Sequence, residues 1–557
     1  MVISKQLNFR KRAKITSGVS AVALALGLFG ASQAVAASSA TPSSTDFTQT
    51  RSDNSNWILT AKNYNNDRYV DQTSITPANV KDLKPVWTFK IDDNGPIEAT
   101  PLVWHGTAYI TSAHDHVYAI DVKTGKLKWE FQDNPHVIAF AANRGVALLD
   151  GKVYVATLDG HLVALDAETG KKIFDVVGVS DTTNSFYTAA PLPYHNAATG
   201  KTELLLGVAN GDWGGLGNIS AFDPTDGHRL WQFNTVPGVG EKGHSTWSGD
   251  SWKQGGAAVW TAMAINPQTG MLYANAGNPQ PDFNGPARLG QNLYSDSLLA
   301  LNISGAKPKL VWYHQFIAHD THDWDPVMPP VLFTGTVHGQ SMPLVADGDK
   351  AGNFWLLNSQ TGDVVNQLSI SMQYGQNTEP SLKGNYACPN TNGGVEFNGG
   401  TYDPKTNVIY LPSSNECGFW RANKQVVYIA GQFYLGGAFP TFVGPNTGQL
   451  NAIDINTGLF AWRHNEKLPM AGGALSTSTG LVFTGLLNNE FAAFDSQTGH
   501  KLWSYNTGSP IIAPPILFTQ DGTDYLAVAS GPAGNQQLPE MPTANAGTML
   551  TLFAVSP

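Results

Sequence analysis

Cysteine is almost missing from this chain: Cys388 and Cys417 are the only two in 557 residues. No Cys-x-x-Cys-His stretch occurs, so a covalently attached c-type haem is excluded. Charge is sparse too, at 14% of residues, with a formal net charge of −10 and no basic tract. That argues against a nucleic-acid partner and leaves room for docking a basic protein. Beyond Phe29 no apolar run approaches the length of a membrane span. What the chain has in quantity is glycine (57), proline (33) and aromatic side chains (10%), the composition of a turn-dense β protein.

The first residues read as an export signal. Lys5, Arg10, Lys11, Arg12 and Lys14 form a basic head, Val19 to Phe29 is apolar, and Ala34-Val35-Ala36 offers a cleavage site. Residues 1–37 are therefore expected to be removed on passage to a bacterial periplasm, and the Ser/Thr-rich residues 38–55 to be flexible. In that oxidising compartment the lone cysteine pair is expected as a disulfide. It would close a loop of about 30 residues and stabilise the fold by roughly 3 to 4 kcal/mol on the chain-entropy model.

One phrase recurs along the rest of the chain: an apolar run, Asp or Asn, a turn ending in Gly, then usually Trp. It reads Ala119-Ile120-Asp121, Thr124-Gly125 and Trp129, and returns at Asp166, Asp223, Asn302, Asn358, Asp454 and Asp495. A degenerate copy at Thr401 to Asn407 fills the widest gap and brings the count to eight. Each copy has the grammar of a β-hairpin, in which Gly supplies positive φ and the Asp side chain accepts hydrogen bonds from the turn. The following Trp is large enough to pack between neighbouring sheets. Such units cannot bury both faces alone, and radial stacking of four-stranded sheets makes a β-propeller. Val86 to Phe89 and Leu552 to Val555 are positioned to pair and close the ring.

The repeat, with Thr246-Trp247-Ser248-Gly249-Asp250-Ser251-Trp252, Ala276-Gly277-Asn278-Pro279 and Gln315-Phe316-Ile317-Ala318-His319-Asp320, resembles the pyrroloquinoline quinone (PQQ) dependent alcohol dehydrogenases. The nearest branch is haem-free and methanol-dehydrogenase-like, and the likeness runs from about Asn56 to Ala554. It implies an all-β, eight-bladed propeller with tryptophan-docking-type repeats over residues 56–557. It also implies PQQ near the axis, with Ca²⁺ or a lanthanide on the quinone. The implied activity is oxidation of an alcohol to an aldehyde, with electrons passed to a separate cytochrome c.

Carried onto this sequence, the resemblance implies metal ligands at Asn278, Asp212, Asp323 and Asp325. Asp212 stands where the family has Glu, a shorter reach by one methylene, and the plain alternative for it is an ordinary turn Asp. Anchoring the family's carboxylate segment on His319-Asp320 makes Asp323 the general base and puts His322 in place of an expected Trp; anchoring on Trp324-Asp325 makes Asp325 the base. With the first anchor, strand-like i, i+2 spacing would point Asp323 and Asp325 to one side. Three carboxylates and one amide would suit a trivalent ion, and calcium stays equally open. Trp260 matches the Trp that stacks on PQQ, Lys350 the cation that points at the reactive oxygen, and Glu98, Arg144 and Thr188 the contacts at the cofactor's edge. Cys388 and Cys417 match the family's structural disulfide.

Two departures cut the other way. The adjacent cysteines that commonly form a ring over the quinone are replaced by Ile138 and Ala139. The family's Gly-x-Asn-Trp reads Gly394-Val395-Glu396-Phe397. A propeller that kept the fold and lost the chemistry is the rival reading. The two are separated by whether Trp260, Asn278, Asp323 and Lys350 converge on one cavity.

Overall fold

The computed structural model describes residues 41–50, 52–132 and 141–555. The expected signal segment, residues 1–37, and the Ile138–Ala139 substitution lie outside the described residues. The described chain is all-β: eight sheets, linked by loops and 3₁₀ turns of three or four residues. Five of the sheets use four strands consecutive in the chain, as in Leu102–Trp104, Thr107–Thr111, Val117–Asp121 and Leu127–Phe131. Among the described residues no helix is long and apolar enough to cross a membrane.

Burial follows the repeat. The apolar run that ends at each Asp is an interior strand, buried along its length in Val117–Asp121 and Glu490–Asp495 apart from its end residues. The strand after the turn is outermost and alternates, as in Leu459–Glu466. The Asp carboxylates act as the sequence suggests: Asp121 accepts from Thr124 N at 2.8 Å and Asp166 from Thr169 N at 2.9 Å. The degenerate copy is a hairpin as well, with Thr401 opposite Tyr410 and Tyr402 opposite Ile409.

Neighbouring sheets are locked through the repeat's Trp. Trp129 Nε1 donates to Ala167 O in the next sheet at 2.9 Å, and Trp462 Nε1 does the same to Ser496 O at 2.9 Å. The indole lies on the turn glycine: a Cβ on Gly170, which has φ +71°, would sit 2.6 Å from the Trp129 ring. Glycine is required there twice over, for its backbone and for the close approach. Trp231 differs, donating to Glu203 Oε2 of its own sheet at 2.9 Å, and on the Gly227 turn Phe174 of the preceding sheet takes the place of the indole.

Leu83–Lys90 and Met549–Val555 pair antiparallel, with Trp87 opposite Leu552 and Phe89 opposite Leu550. The first long strand thus joins the last sheet of the chain. Part of the segment expected to be flexible packs against the rest of the chain in this structure. Phe47 is buried at 2% exposure with its ring 6.2 Å from Tyr64, and Asp150 N donates to Pro42 O at 2.9 Å.

Replacing Trp129 with Ala removes the donor to Ala167 O and opens a void over Gly170. Chemical denaturation is expected to show a loss of roughly 3 to 5 kcal/mol, the range for deleting a buried large aromatic.

Candidate active site

The entrance to the first strand of a sheet and the exit from its second lie at the same end, because the two run antiparallel. The nine expected site residues occupy these positions. Glu98, Arg144, Thr188 and Trp260 precede the first strands Leu102–Trp104, Ala147–Leu149, Leu192–Asn196 and Ala264–Asn266, and Asp323 and Asp325 precede Val331–Val337. Asp212, Asn278 and Lys350 follow the second strands Lys201–Gly207, Met271–Ala276 and Gln340–Gly348. All nine line a single cavity of about 380 Å³.

Lys350 is its electrostatic centre. Lys350 Nζ lies 3.1 Å from Asp323 Oδ1 and 2.8 Å from Asp325 Oδ1. Trp260 Nε1 donates to the other oxygen, Asp325 Oδ2, at 2.7 Å. The backbone enforces this, since Lys350 N donates to Asp325 O at 3.0 Å. The approach also needs Gly277, where a Cβ would lie 2.7 Å from Asp325 Oδ2.

The two carboxylates reach Lys350 by a route other than the strand-like spacing. Asp320 accepts from His322 N at 2.9 Å and from Trp324 N at 2.8 Å, which curls the chain into a loop. Asp323 then takes a left-handed φ of +59°. Short-range sequence spacing misread this segment because a buried carboxylate, rather than a ladder, organises it. His322 stacks on Trp324 with centroids 4.1 Å apart and an 11° interplanar angle, and burial pushes its pKa down to about 3. It is a neutral packing residue.

Burial dominates the ionisation of the cluster. It raises Asp323 well above the carboxylate range; Lys350 opposes the shift, and Asp325 and Asp212 add to it. Asp212, on the 3₁₀ turn Gly211–Trp213, rises to about 6 for the same reason, with Lys350 and a hydrogen bond from Asn278 opposing and Asp325 adding. Burial alone would lower Lys350, but Asp323, Asp325 and Glu396 hold it well above its ordinary value. One ammonium among this many carboxyls leaves the site short of positive charge, and a second cation would restore their ionised forms. Among the described residues no three His, Cys, Asp or Glu side chains surround a common metal position. The oxygen donors are mixed, with the Asn278 amide beside Asp212, which fits a hard cation.

The surroundings of Arg144, beside the Trp260 ring, fit an aromatic polycarboxylate. Arg144 pairs with Glu98 at 2.8 Å, and its Nε and Nη1 are buried without a hydrogen-bond partner among the described residues. Its guanidinium carbon lies 4.9 Å from the Trp260 ring centroid and 4.2 Å from that of Phe397. The two rings stand 6.0 Å apart at 57°. Phe397, the replacement for the expected indole, thus lines the same chamber, as does Glu396, which accepts from Gln536 Nε2 at 2.7 Å. Thr188 Oγ1 donates to Trp260 O at 3.3 Å. Cys388 and Cys417 form a disulfide with Cα atoms 4.3 Å apart.

Sequence reasoning missed Gln536, Trp213, Phe439 and Phe442 in the lining. A signal for Gln536 existed: it follows the second strand Thr523–Ser530 of its sheet, the position of Asn278 and Lys350 in theirs. Phe439 and Phe442 lie on the long strand Gly437–Asp454 and carry no repeat signal.

The sequence matches the family described as "PQQ: Glucose/ethanol/alcohol dehydrogenase, beta-propeller domain" over residues 57–371 and 364–526. The chain belongs to this family. It is 31% identical over 513 residues to the quinoprotein alcohol dehydrogenase PedH of Pseudomonas putida, covering 84% of each chain. It is 28% identical over 528 residues to the lanthanide-dependent methanol dehydrogenase of Methylacidiphilum fumariolicum, covering 86% of this chain and 85% of that one. Among solved structures it resembles a europium-containing methanol dehydrogenase, with a TM-score of 0.81, 27% identity, and 92% of this chain and 100% of that chain covered.

The buried carboxyls make stability depend on pH in a fixed direction. Burial raises Glu396 to about 8 and Asp349 to about 6. Each binds its proton more tightly folded than unfolded, so the stability these two groups contribute is full below their ordinary carboxyl values and declines as pH rises through about 6 for Asp349 and about 8 for Glu396. Thermal unfolding of the cofactor-free protein is expected to show a falling midpoint over that window, and Glu396→Gln to flatten its upper part.

Proposed function

We propose that this protein is a periplasmic PQQ- and metal-dependent dehydrogenase that oxidises an alcohol to an aldehyde and passes the electrons to a separate cytochrome c. One observation carries the reading: Trp260 and Asn278 from one sheet and Asp323 and Lys350 from the next line one chamber, together with Asp212, Asp325, Arg144, Glu98 and Thr188. A scaffold propeller has no use for that convergence. In this reading the eight sheets are eight blades with tryptophan-docking repeats spanning residues 56–557, and residues 1–37 are the export signal.

When bound, PQQ supplies the hydride acceptor, and a hard cation on its oxygens makes it more electrophilic. The chain's own residues do the rest. Trp260 would give the quinone a flat platform, and the two partnerless nitrogens of Arg144 would receive its carboxylates, with Glu98 holding the guanidinium and Thr188 offering a hydroxyl at the edge. Asp212, Asn278, Asp323 and Asp325 would supply the oxygens for the metal, gathered more closely than they stand in this structure. Asp323 takes the hydroxyl proton of the alcohol, and the extra positive charge of the metal keeps it ionised for that task. Lys350 donates to negative charge that develops on a reacting oxygen.

The test is reconstitution of the purified protein with PQQ and either Ca²⁺ or La³⁺, assayed on alcohols with a dye acceptor. Turnover with at least one metal is expected, and Asp323→Asn should lower kcat roughly 10² to 10⁴-fold while PQQ still binds. Absence of activity with both metals would overturn the reading.

A further inference from the structure

Behind the cavity wall that carries Gln536 and Asn392 lies a second group of buried polar atoms. Glu416 is fully buried, and the Asn392 amide hydrogen-bonds its carboxyl. Asn390 Nδ2, Gln536 Oε1 and Asn446 Oδ1 are buried with no hydrogen-bond partner among the described residues. Orphaned buried polar atoms are uncommon, and several in one neighbourhood ask for a purpose.

The chain brings them together. Glu416 lies in a β-bulge, since Asn415 pairs with Thr447 and Cys417 with Val443. It therefore stands outside the regular ladder, opposite residues 444–446; bulges re-aim side chains in this way beside functional sites. Asn390 N donates to Glu416 O at 3.0 Å. Toward the cavity, Gln536 donates to Glu396, and Asn392 Nδ2 donates to Asn535 O at 3.2 Å. Toward solvent, Asn446 Nδ2 donates at 2.5 Å to Glu540, which is exposed.

We propose that Glu396, Glu416 and Glu540 form a proton exit from the reaction cavity to the surface, with Glu416 as the buried relay. The proposal rests on the alcohol-oxidation reading. Conversion of RCH₂OH to RCHO yields two electrons and two protons. The electrons leave singly to a cytochrome or dye, and the protons must leave a chamber whose base, Asp323, is tied to Lys350. Carboxyls that titrate near neutrality both accept and release protons readily. Glu396 faces Lys350, which opposes its upward shift, and Glu98 and Glu416, which add to it. Burial raises Glu416 to about 7; the Asn392 amide opposes this, and the charge of Glu540 adds to it.

The experiment uses the PQQ- and metal-loaded enzyme with a pH-indicator dye in stopped flow. In Glu416→Gln, reduction of the cofactor by alcohol in a single turnover is expected to keep its rate. Proton release and steady-state turnover should slow by roughly tenfold or more, and a small permeant weak acid should restore them. Unchanged proton release overturns the proposal, and so does equal slowing of both phases without rescue. If Glu416→Gln does not fold, Glu540→Gln decides in the same assay: slowed release supports the exit, and unchanged release overturns it. Infrared spectra of the cofactor-free wild type give a readout independent of activity. A protonated buried carboxyl should be lost as pH rises through about 7 and be missing in Glu416→Gln; no such signal overturns the relay. Failure of every alcohol in the loaded wild type would sink the function instead, with the infrared result still standing for the carboxyls.

Discussion

A single ammonium holds two buried carboxylates that would otherwise repel each other, and the arrangement of the cavity depends on it. Lys350 reaches both Asp323 and Asp325, and the second oxygen of Asp325 is fixed by the Trp260 indole. Asp323, Asp325 and Trp260, the proposed base, metal ligand and cofactor platform, are thus one hydrogen-bonded unit. Breaking such a buried pair by removing one partner costs about 3 to 5 kcal/mol, because the other charge is left uncompensated. The surrounding sheets supply the stiffness that keeps this unit from relaxing. Each group hangs from a strand end, and the Trp-to-carbonyl bonds hold neighbouring sheets in register.

The cluster is short of positive charge by itself, which ties its chemistry to its ligands. The carboxyls of Asp212 and Asp323 sit above their ordinary range through burial and mutual repulsion. In the proposed function, binding a hard cation and ionising Asp323 are therefore the same event seen from two sides. At Arg144 the logic is reversed, since its Nε and Nη1 have no hydrogen-bond partner among the described residues. The departures at Glu396 and Phe397 leave this division intact: Phe397 keeps a ring against Arg144, and Glu396 adds a titratable group on the side that leads to Glu416.

Much of the fold was legible because its signals are local and repeated. The Asp-to-Gly turns, the docking Trp side chains and the pairing of Trp87 with Leu552 follow from short phrases in the sequence. The nine candidate residues were legible through the family likeness, and the hairpin rule explains why they meet: entrances and exits of paired strands share one end. What stayed hidden is non-local or depends on irregular backbone. The left-handed turn at Asp323 is set by the buried Asp320 carboxylate, and the bulge at Glu416 by the strand opposite it. Phe439 and Phe442 enter the cavity from a long strand with no repeat marking. The burial of Phe47 depends on a partner, Tyr64, that no pattern in residues 38–55 announces.

The most direct measurement is a crystal structure of the protein loaded with PQQ and Ca²⁺ or La³⁺. The account expects the quinone against the Trp260 indole, its carboxylates on Arg144, and the cation in contact with Asp212, Asn278 and Asp325. A cofactor bound outside this chamber, or a cation seated away from those three residues, would contradict it.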